Sequence, residues 1–294
     1  MNEPDFLAAL RHLPLHPGAR NLADDAAVLE VGGETLVLTH DVMSEGVHFL
    51  PQQDLADVAW KLVAVNLSDL AAKGAEPVGV LLGYQLGDDA PFLRGLHAAL
   101  EAFGAPLLGG DTVAAWGPRS FGLTAIGRAT HTPVPSRSGA QVGDTIYLTG
   151  SVGAAMLGFE ALRDGTGADS LAYRRPFPRL HEGRALAPLV SAMMDVSDGL
   201  LLDCWRMAEA SGVSLELSHA AIPVAAPDRV DECIRWGDDY ELLFTLPPGQ
   251  EPPVTATLIG TVAAQGPPLM LDGAAIRSRD GLGYQHGIDS SAGQ

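Results

Sequence analysis

Lysine is almost missing from this chain: Lys61 and Lys73 are the only two among 294 residues. A Walker A loop reads Gly-x-x-x-x-Gly-Lys-Ser/Thr, and neither Trp60-Lys61 nor Lys73-Gly74 fits it, which closes the P-loop kinase and GTPase route. If the chain handles phosphates, the positive charge is expected from cations other than lysine. Basic residues are scarce overall, with 18 Lys+Arg against 36 Asp+Glu and a formal charge of −18. That excludes a non-specific nucleic-acid binder, which needs a basic face, and a polybasic membrane-surface protein. Cysteine is reduced to Cys204 and Cys233 with no CxxC spacing, so neither a disulfide scaffold nor a cysteine zinc site is expected. Cys204 lies in an apolar helical run and reads as a buried core thiol. No apolar run approaches the roughly 18–20 residues of a membrane span. The opening Met1-Asn2-Glu3-Pro4-Asp5 lacks the basic and apolar regions of a secretory signal. The expected location is the cytoplasm, with no nucleic-acid or membrane partner.

A folded core is present: 47% of residues are hydrophobic and 18% charged. Strand-like and helix-like runs alternate. Residues 35–39 read as a buried strand ending in His40-Asp41, 55–73 as a helix stopped by Gly74, and 78–86 as a strand. Residues 91–103 read as a helix and 121–126 as a strand. Residues 129–143 are rich in Pro, Ser and Gly, have no periodicity, and read as an interdomain linker. A second alternating section follows: a strand over 145–149, a glycine turn over 150–153 into a helix, a helix over 198–211, and strands over 240–246 and 257–262. The tail after about Asp280 is polar and Gly-rich, with Tyr284 its only Phe, Trp or Tyr. The expected organisation is two α/β halves, 1–138 and 139–294.

The placement of aspartates carries the chemistry. Asp24-Asp25 precedes an apolar segment, and Asp41 ends a strand. Asp69 lies on a helix three residues after Asn66, so the two share a face. Asp111 closes a strand that runs into a Gly109-Gly110 turn. Asp195 and Asp198 bracket Val196-Ser197 before Gly199, and Asp238-Asp239 follows Gly237. Carboxylates at element ends can converge on a cleft. An oxygen-only set is what Mg²⁺ prefers, and that ion usually bridges carboxylates to substrate phosphates. Several such ions would let an acidic protein bind ATP without a lysine loop.

Taken in order, Asp24-Asp25-Ala26-Ala27-Val28, Thr39-His40-Asp41, Glu45-Gly46-Val47-His48-Phe49, Trp60-Lys61 and Val65-Asn66-Leu67-Ser68-Asp69-Leu70-Ala71-Ala72 form the first part of a series. Gly109-Gly110-Asp111-Thr112, Arg137-Ser138-Gly139-Ala140 and Arg175-Pro176-Phe177-Pro178-Arg179 continue it. Met194-Asp195-Val196-Ser197-Asp198-Gly199-Leu200 and Gly237-Asp238-Asp239-Tyr240-Glu241-Leu242 complete it. The series resembles the thiamine-monophosphate kinase family of the aminoimidazole-ribonucleotide-synthetase-like superfamily, in order and spacing across nearly the whole chain.

That resemblance implies a two-domain α/β (α+β) fold. The N-terminal domain would bind ATP and Mg²⁺ and dimerise, its sheet forming a barrel across a homodimer. The C-terminal α/β domain would complete the site. The family passes the γ-phosphoryl group of ATP directly to thiamine monophosphate, in line and without a phosphoenzyme. By position, Asp25, Thr39, His40, Asp41, Asp69, Asp111, Asp195 and Asp198 would hold Mg²⁺, His40 through its backbone carbonyl because it has no hydroxyl. Gly110, Asp111, Arg137 and Ser197 would contact the nucleotide. His48, Asp238 and Tyr284 would contact the thiamine phosphate, Tyr284 where many members place a tryptophan. No general base is assigned, because a phosphate monoester acceptor is largely ionised near neutral pH. The alternatives are another ATPase of the same superfamily acting on a purine-biosynthesis intermediate, and a non-catalytic acidic metal-binding protein.

Overall fold

The computed structural model describes residues 3–264 and 266–286. It contains two sheets. The first is built from β1 (Ala27–Val31), β2 (Glu34–Ser44), β3 (Ala75–Gln85), β4 (Leu107–Val113) and β5 (Ser120–Ala129), in the order β1-β2-β5-β3-β4. After α1 (Glu3–Leu10), two helices belong to this half: α2 (Leu55–Ala72) and α3 (Asp89–Phe103). The second sheet comprises β6 (Thr145–Thr149), β7 (Ala192–Asp195), β8 (Ser214–Leu217), β9 (Leu242–Leu246), β10 (Ala256–Ala263), β11 (Leu269–Leu271) and β12 (Ala274–Ile276). Its order is β12-β11-β8-β10-β6-β9-β7, which leaves β7 at one edge. Its helices are α4 (Ala154–Arg163), α5 (Leu171–Arg174), α6 (Leu180–Leu186), α7 (Leu200–Ser211) and α8 (Val230–Cys233). Residues 130–144 carry no helix or strand.

Helix α2 organises the molecule. Asp54 caps it, its side chain accepting the Ala56 N–H at 2.9 Å, and Gly74 follows the helix in a left-handed conformation, φ 58°. Its sequence is apolar nearly all round, which suits a helix covered on every side. Val58, Leu62, Val63, Leu67 and Leu70 pack with Val37, Val80, Phe92, Phe121 and Leu123 in the N-terminal core. Each such side chain contributes about 1.5–3 kcal/mol on full burial. Ala71 and Ala72 turn instead toward Tyr147, Leu186, Met193, Leu242, Phe244 and Leu246. The helix thus belongs to both cores. A separate C-terminal core lies between the second sheet and α7, around Ile146, Leu148, Met194, Leu201, Leu215 and Ile259, and it includes the buried Cys204.

Several sequence expectations need adjusting at element ends. Asp41 does not end its strand, because β2 runs on to Ser44, paired with β5 through Ser120. Gly109-Gly110 is not a turn. Both lie inside β4 with φ of 154° and 153°, paired in parallel with β3. A Cβ at Gly110 would fall 1.9 Å from the Leu82 carbonyl oxygen, so only glycine lets the strands approach there. Asp198 precedes α7, whose first residue is Leu200, and Tyr240 precedes β9. In each case a loop hydrogen-bonds to another loop where the hydrophobic pattern alone suggested continuation.

The domains meet most closely where α6 crosses α2. A Cβ added at Gly183 would lie 2.0 Å from the Ala71 carbonyl oxygen. Gly183→Ala is therefore expected to force the two helices apart and destabilise the protein by about 1–3 kcal/mol, the usual range for overpacking. Thermal melting of the variant measures this, and an unchanged midpoint would show that the contact yields freely.

Candidate active site

Three carboxylates from three elements converge at the junction. Asp25 sits at the entry to β1, Asp69 on α2 and Asp195 at the end of β7, and each offers an oxygen within 4.8 Å of the others. Thr39 on β2 donates its hydroxyl to Asp69 Oδ2, and Ser68 donates to Asp195 Oδ2 at 2.6 Å. Asp41 stands two residues beyond Thr39 on the same strand face. Its backbone N–H is held by Asn66 Oδ1 at 3.0 Å, and Asn66 is fixed in turn by the Leu62 carbonyl at 2.9 Å.

Grouping these charges perturbs them strongly. Burial, then Asp198 and Asp25, pushes Asp41 up to about 6. Burial and the Asp25 charge push Asp195 up to about 8. Burial, then Asp41 and Asp195, raises Asp69 well above the ordinary carboxylate range. Such like-charge crowding is typical of a site awaiting a cation or a proton.

The counter-charges include lysine, set against carboxylates rather than against a phosphate. The Lys73 side chain is fully buried beneath the cluster, paired with Asp24 and 2.6 Å from Asp25 Oδ2. Arg20 also reaches Asp24, at 2.6 Å. Burial alone would raise Asp24, but Lys73 outweighs it and holds this carboxyl below the usual range. Arg137, an expected nucleotide contact, donates its Nε to Asp25 Oδ1 at 2.6 Å. Burial disfavours its charge, yet Asp25, Asp203 and Asp24 together raise its pKa.

The donor set fits a hard divalent cation. It is oxygen-only, buried and anionic, and Asp25 Oδ2 makes no aligned hydrogen bond despite the nearby ammonium.

Two loops frame the cluster from the C-terminal half. The backbone N–H groups of Ser197 and Asp198 both donate to Asp203 Oδ2 at 3.1 Å, and Arg206 bridges Asp203 and Asp198. The second loop bonds back to the first: Asp238 N–H to the Ser197 carbonyl and Tyr240 N–H to the Val196 carbonyl, both at 2.8 Å. Asp238 and Tyr240 both carry positive φ, 65° and 52°. Non-glycine residues hold that conformation only where surroundings enforce it, and such strain concentrates at functional sites.

The expected acceptor residues also gather. Lys61 is buried and donates to Asp238 Oδ2 at 2.8 Å and to the His48 carbonyl at 3.3 Å. Its ammonium lies 3.9 Å from the centre of the Tyr173 ring. Tyr240 donates to the other oxygen of Asp238 at 2.8 Å. His48 Nδ1 accepts the Ser44 N–H at 3.0 Å, which leaves the proton of the neutral ring on Nε2. Burial, then His286, lowers the His48 pKa. Tyr284 reaches this group through His286, whose ring lies 5.4 Å from His48 and 4.9 Å from Tyr284.

Two expected residues stand apart within the chain, and a third, His40, turns only its side chain away. His40 points to the opposite sheet face from Thr39 and Asp41, with its Nδ1 2.9 Å from Thr124 Oγ1, so its imidazole does not join the cluster. Gly110 shares a register row with Asp41 through Leu123 and Leu82, three strand spacings or about 14 Å away. Asp111 follows it on β4, whose residues are all exposed. Sequence reasoning gave no role to Asp24, Lys61, Lys73, Tyr173, Arg206 or His286. The signal available was the spacing on α2. Asp57, Lys61 and Ser68 fall on one stripe of the helix, and Asn66, Asp69 and Lys73 on another.

The fold and this site define a protein of the AIR synthase related class. Residues 23–129 match the AIR synthase related protein N-terminal domain, and residues 141–265 match its C-terminal domain. The thiamine-monophosphate kinase of Caulobacter vibrioides is 39% identical over 257 residues, covering 80% of this chain and 73% of that protein. That of Escherichia coli K12 is 37% identical over 253 residues, covering 77% and 76%. The solved structure of AaThiL complexed with AMPPCP and TMP superposes with a TM-score of 0.85 at 27% identity, over 97% of both chains. The Stenotrophomonas maltophilia thiamine-monophosphate kinase structure gives 0.77 at 33% identity, over 92% and 96%. Hydrogenase maturation protein HypE in complex with ATP, at 22% identity and 0.67, covers 90% of this chain and 88% of that one and shares the fold alone. This chain belongs to the thiamine-monophosphate kinase family. No helix of the described residues is long and apolar enough to cross a membrane.

The raised carboxylate pKa values set a pH dependence. The folded protein binds these protons more tightly than the unfolded chain, whose aspartates ionise near 4, so metal-free stability falls as pH rises from about 4 through 8. Asp195→Asn is expected to melt above the parent at pH 8 in chelator, by at least about 1 kcal/mol or roughly 2–4 °C, with the gap closing toward pH 5. Equal melting at pH 8 would remove Asp195 from the repulsive set.

Proposed function

We propose that this chain catalyses the ATP-dependent phosphorylation of thiamine monophosphate to thiamine diphosphate in the cytoplasm, by direct in-line transfer that requires Mg²⁺. One observation carries the reading. The Asp25–Asp69–Asp195 cluster and the group around His48, Asp238 and Tyr284 are joined by the paired loops of 195–198 and 238–240. A phosphoryl donor and a phosphorylated acceptor need such adjacency.

Asp25, Asp41, Asp69, Asp195 and Asp198, with the Thr39 hydroxyl, would hold Mg²⁺. The ions would supply neutralisation of polyphosphate charge and a template for the reacting oxygens. Arg137 would exchange part of its hold on Asp25 for a nucleotide phosphate, which suits a planar five-donor group. Ser197 would contact the same phosphates. Asp238, His48 and Tyr284 would orient the acceptor. An acceptor oxygen then attacks the γ-phosphorus while the bond to the β–γ bridging oxygen breaks, and ADP leaves with the electron pair. The acceptor phosphate has a second pKa near 6, so it arrives largely ionised and no chain residue has to remove a proton. Positioning and charge neutralisation supply the catalysis.

Gly110 and Asp111 enter this scheme through a homodimer. They sit on an exposed edge strand of a sheet that leaves Val42, Leu81, Leu107, Leu108 and Val113 exposed. An open apolar edge of this kind is ordinarily covered. We propose that two copies close their sheets into a shared barrel, which carries Gly110 and Asp111 to a nucleotide.

Incubation with ATP, Mg²⁺ and thiamine monophosphate is expected to yield thiamine diphosphate and ADP, and no product at millimolar Mg²⁺ would overturn the reading. Asp69→Asn is expected to lose at least about 100-fold in kcat while remaining folded, since a group clamping transition-state charge is worth about 3 kcal/mol or more. Wild-type turnover in that variant would reject the cluster as the reaction centre. Sedimentation is expected to find twice the chain mass of 30.7 kDa, and Val42→Glu to halve it. A monomeric parent with full activity would exclude the shared barrel.

A further inference from the structure

The described chain ends against the site. Leu282 is buried in the C-terminal core. A Cβ at Gly283 would lie 2.4 Å from the Asp198 carbonyl oxygen and 2.8 Å from Leu202 Cβ, so the chain passes tightly over the start of α7. Tyr284 N–H donates to the Asp198 carbonyl at 2.8 Å, and Gln285 Nε2 to the Arg279 carbonyl at 3.2 Å. These contacts fix two side chains at the cleft. The rings of Tyr284 and His286 stand 4.9 Å apart at 88°, and the ring of His286 lies 5.4 Å from His48 at 39°. His48 comes from the N-terminal half, so the tail closes a ring-lined corner across the two domains.

Two rings at right angles let a third, flat ring stack on one of them and meet the other at its edge. Asp238 lies near enough to act on His48, and its two oxygens are held by Lys61 and Tyr240. The surroundings are aromatic and acidic, and the Asp25–Asp69–Asp195 cluster draws its carboxylates from other positions. We infer that His286 is a further acceptor-binding residue, whose imidazole face packs against the flat, nitrogen-containing aromatic part of the acceptor rather than its phosphate. The inference rests on the acceptor proposed above and adds the residue that selects for its ring system.

The test compares His286→Ala and His286→Phe with the parent, measuring KM for thiamine monophosphate, KM for ATP, kcat and calorimetric binding of thiamine monophosphate. His286→Ala is expected to raise KM and the dissociation constant for thiamine monophosphate about 5–10-fold, the worth of one aromatic contact. KM for ATP and kcat should stay within about twofold. His286→Phe, which keeps the ring and loses the nitrogens, should bring both values back to within about twofold of the parent. An unchanged KM for thiamine monophosphate in His286→Ala overturns the inference, as does His286→Phe proving as weak as His286→Ala. A parallel rise in KM for ATP also overturns it, since that would place His286 in general closure of the cleft. A parent that fails to phosphorylate thiamine monophosphate defeats the proposed function instead, so the two failures are distinguishable.

Discussion

The constraint on which this structure depends is electrostatic: carboxylates from the entry to β1, from α2 and from β7 are brought within 4.8 Å of one another at the junction of the two halves. Left alone, that arrangement would drive the domains apart, because buried like charges repel with little screening. The chain answers it from beneath and from the side. Lys73 takes Asp24 and Asp25 from below, and Arg137 takes Asp25 from the linker. Part of the repulsion is left standing, as the upward shifts of Asp41, Asp69 and Asp195 show. A protein compensated in full would have no use for a cation. This one is compensated enough to fold and no further.

Helix α2 converts that constraint into architecture. Its Asn66–Asp69–Lys73 stripe serves the cluster, and its Asp57–Lys61–Ser68 stripe serves the other domain. Asp57 is buried and grips both Arg174 and Arg175, while Trp60 Nε1 donates to the Pro176 carbonyl at 3.0 Å. Arg179 then forks onto Glu241 at 2.7 and 2.5 Å, and Glu241 is steadied by Thr149 at 2.6 Å. A chain of charged pairs therefore runs from α2 through the 174–179 segment to the loop that carries Asp238. Domain docking and the geometry of the proposed acceptor pocket rest on the same contacts. Ion pairs of this kind fix register more than they add stability.

Much of the fold was legible because hydrophobic period and glycine punctuation report local structure directly. The strand over 145–149 and the α2 boundaries follow from them almost to the residue. What escaped was everything decided by a distant partner. Asp198 and Tyr240-Glu241 read as the first residues of a helix and a strand, yet they belong to loops held by hydrogen bonds to each other across about 40 residues of sequence. The glycines of β4 read as a turn, since nothing in the sequence announces the Leu82 carbonyl that presses on Gly110. The aspartates of the cluster were recognisable as a set through their order along the chain. Lys73 was passed over because a lone lysine before a helix-ending glycine resembles any C-terminal cap. His286 was passed over because a single histidine in a polar tail carries no pattern.

The lysine scarcity has a chemical consequence of its own. Both ammonium groups lie inside the folded protein, with side-chain exposures of 1% for Lys61 and 0% for Lys73. One is lodged under the proposed acceptor pocket and the other under the proposed metal cluster. The closed protein consequently presents no side-chain amine to acylating reagents, and its surface cations are arginines. Amine reactivity becomes a report on a single event, the parting of the two domains around α2. Lysine acetylation of this chain could occur only on an enzyme that had already opened or not yet folded, where it would erase a counter-charge that the closed form needs in order to re-form.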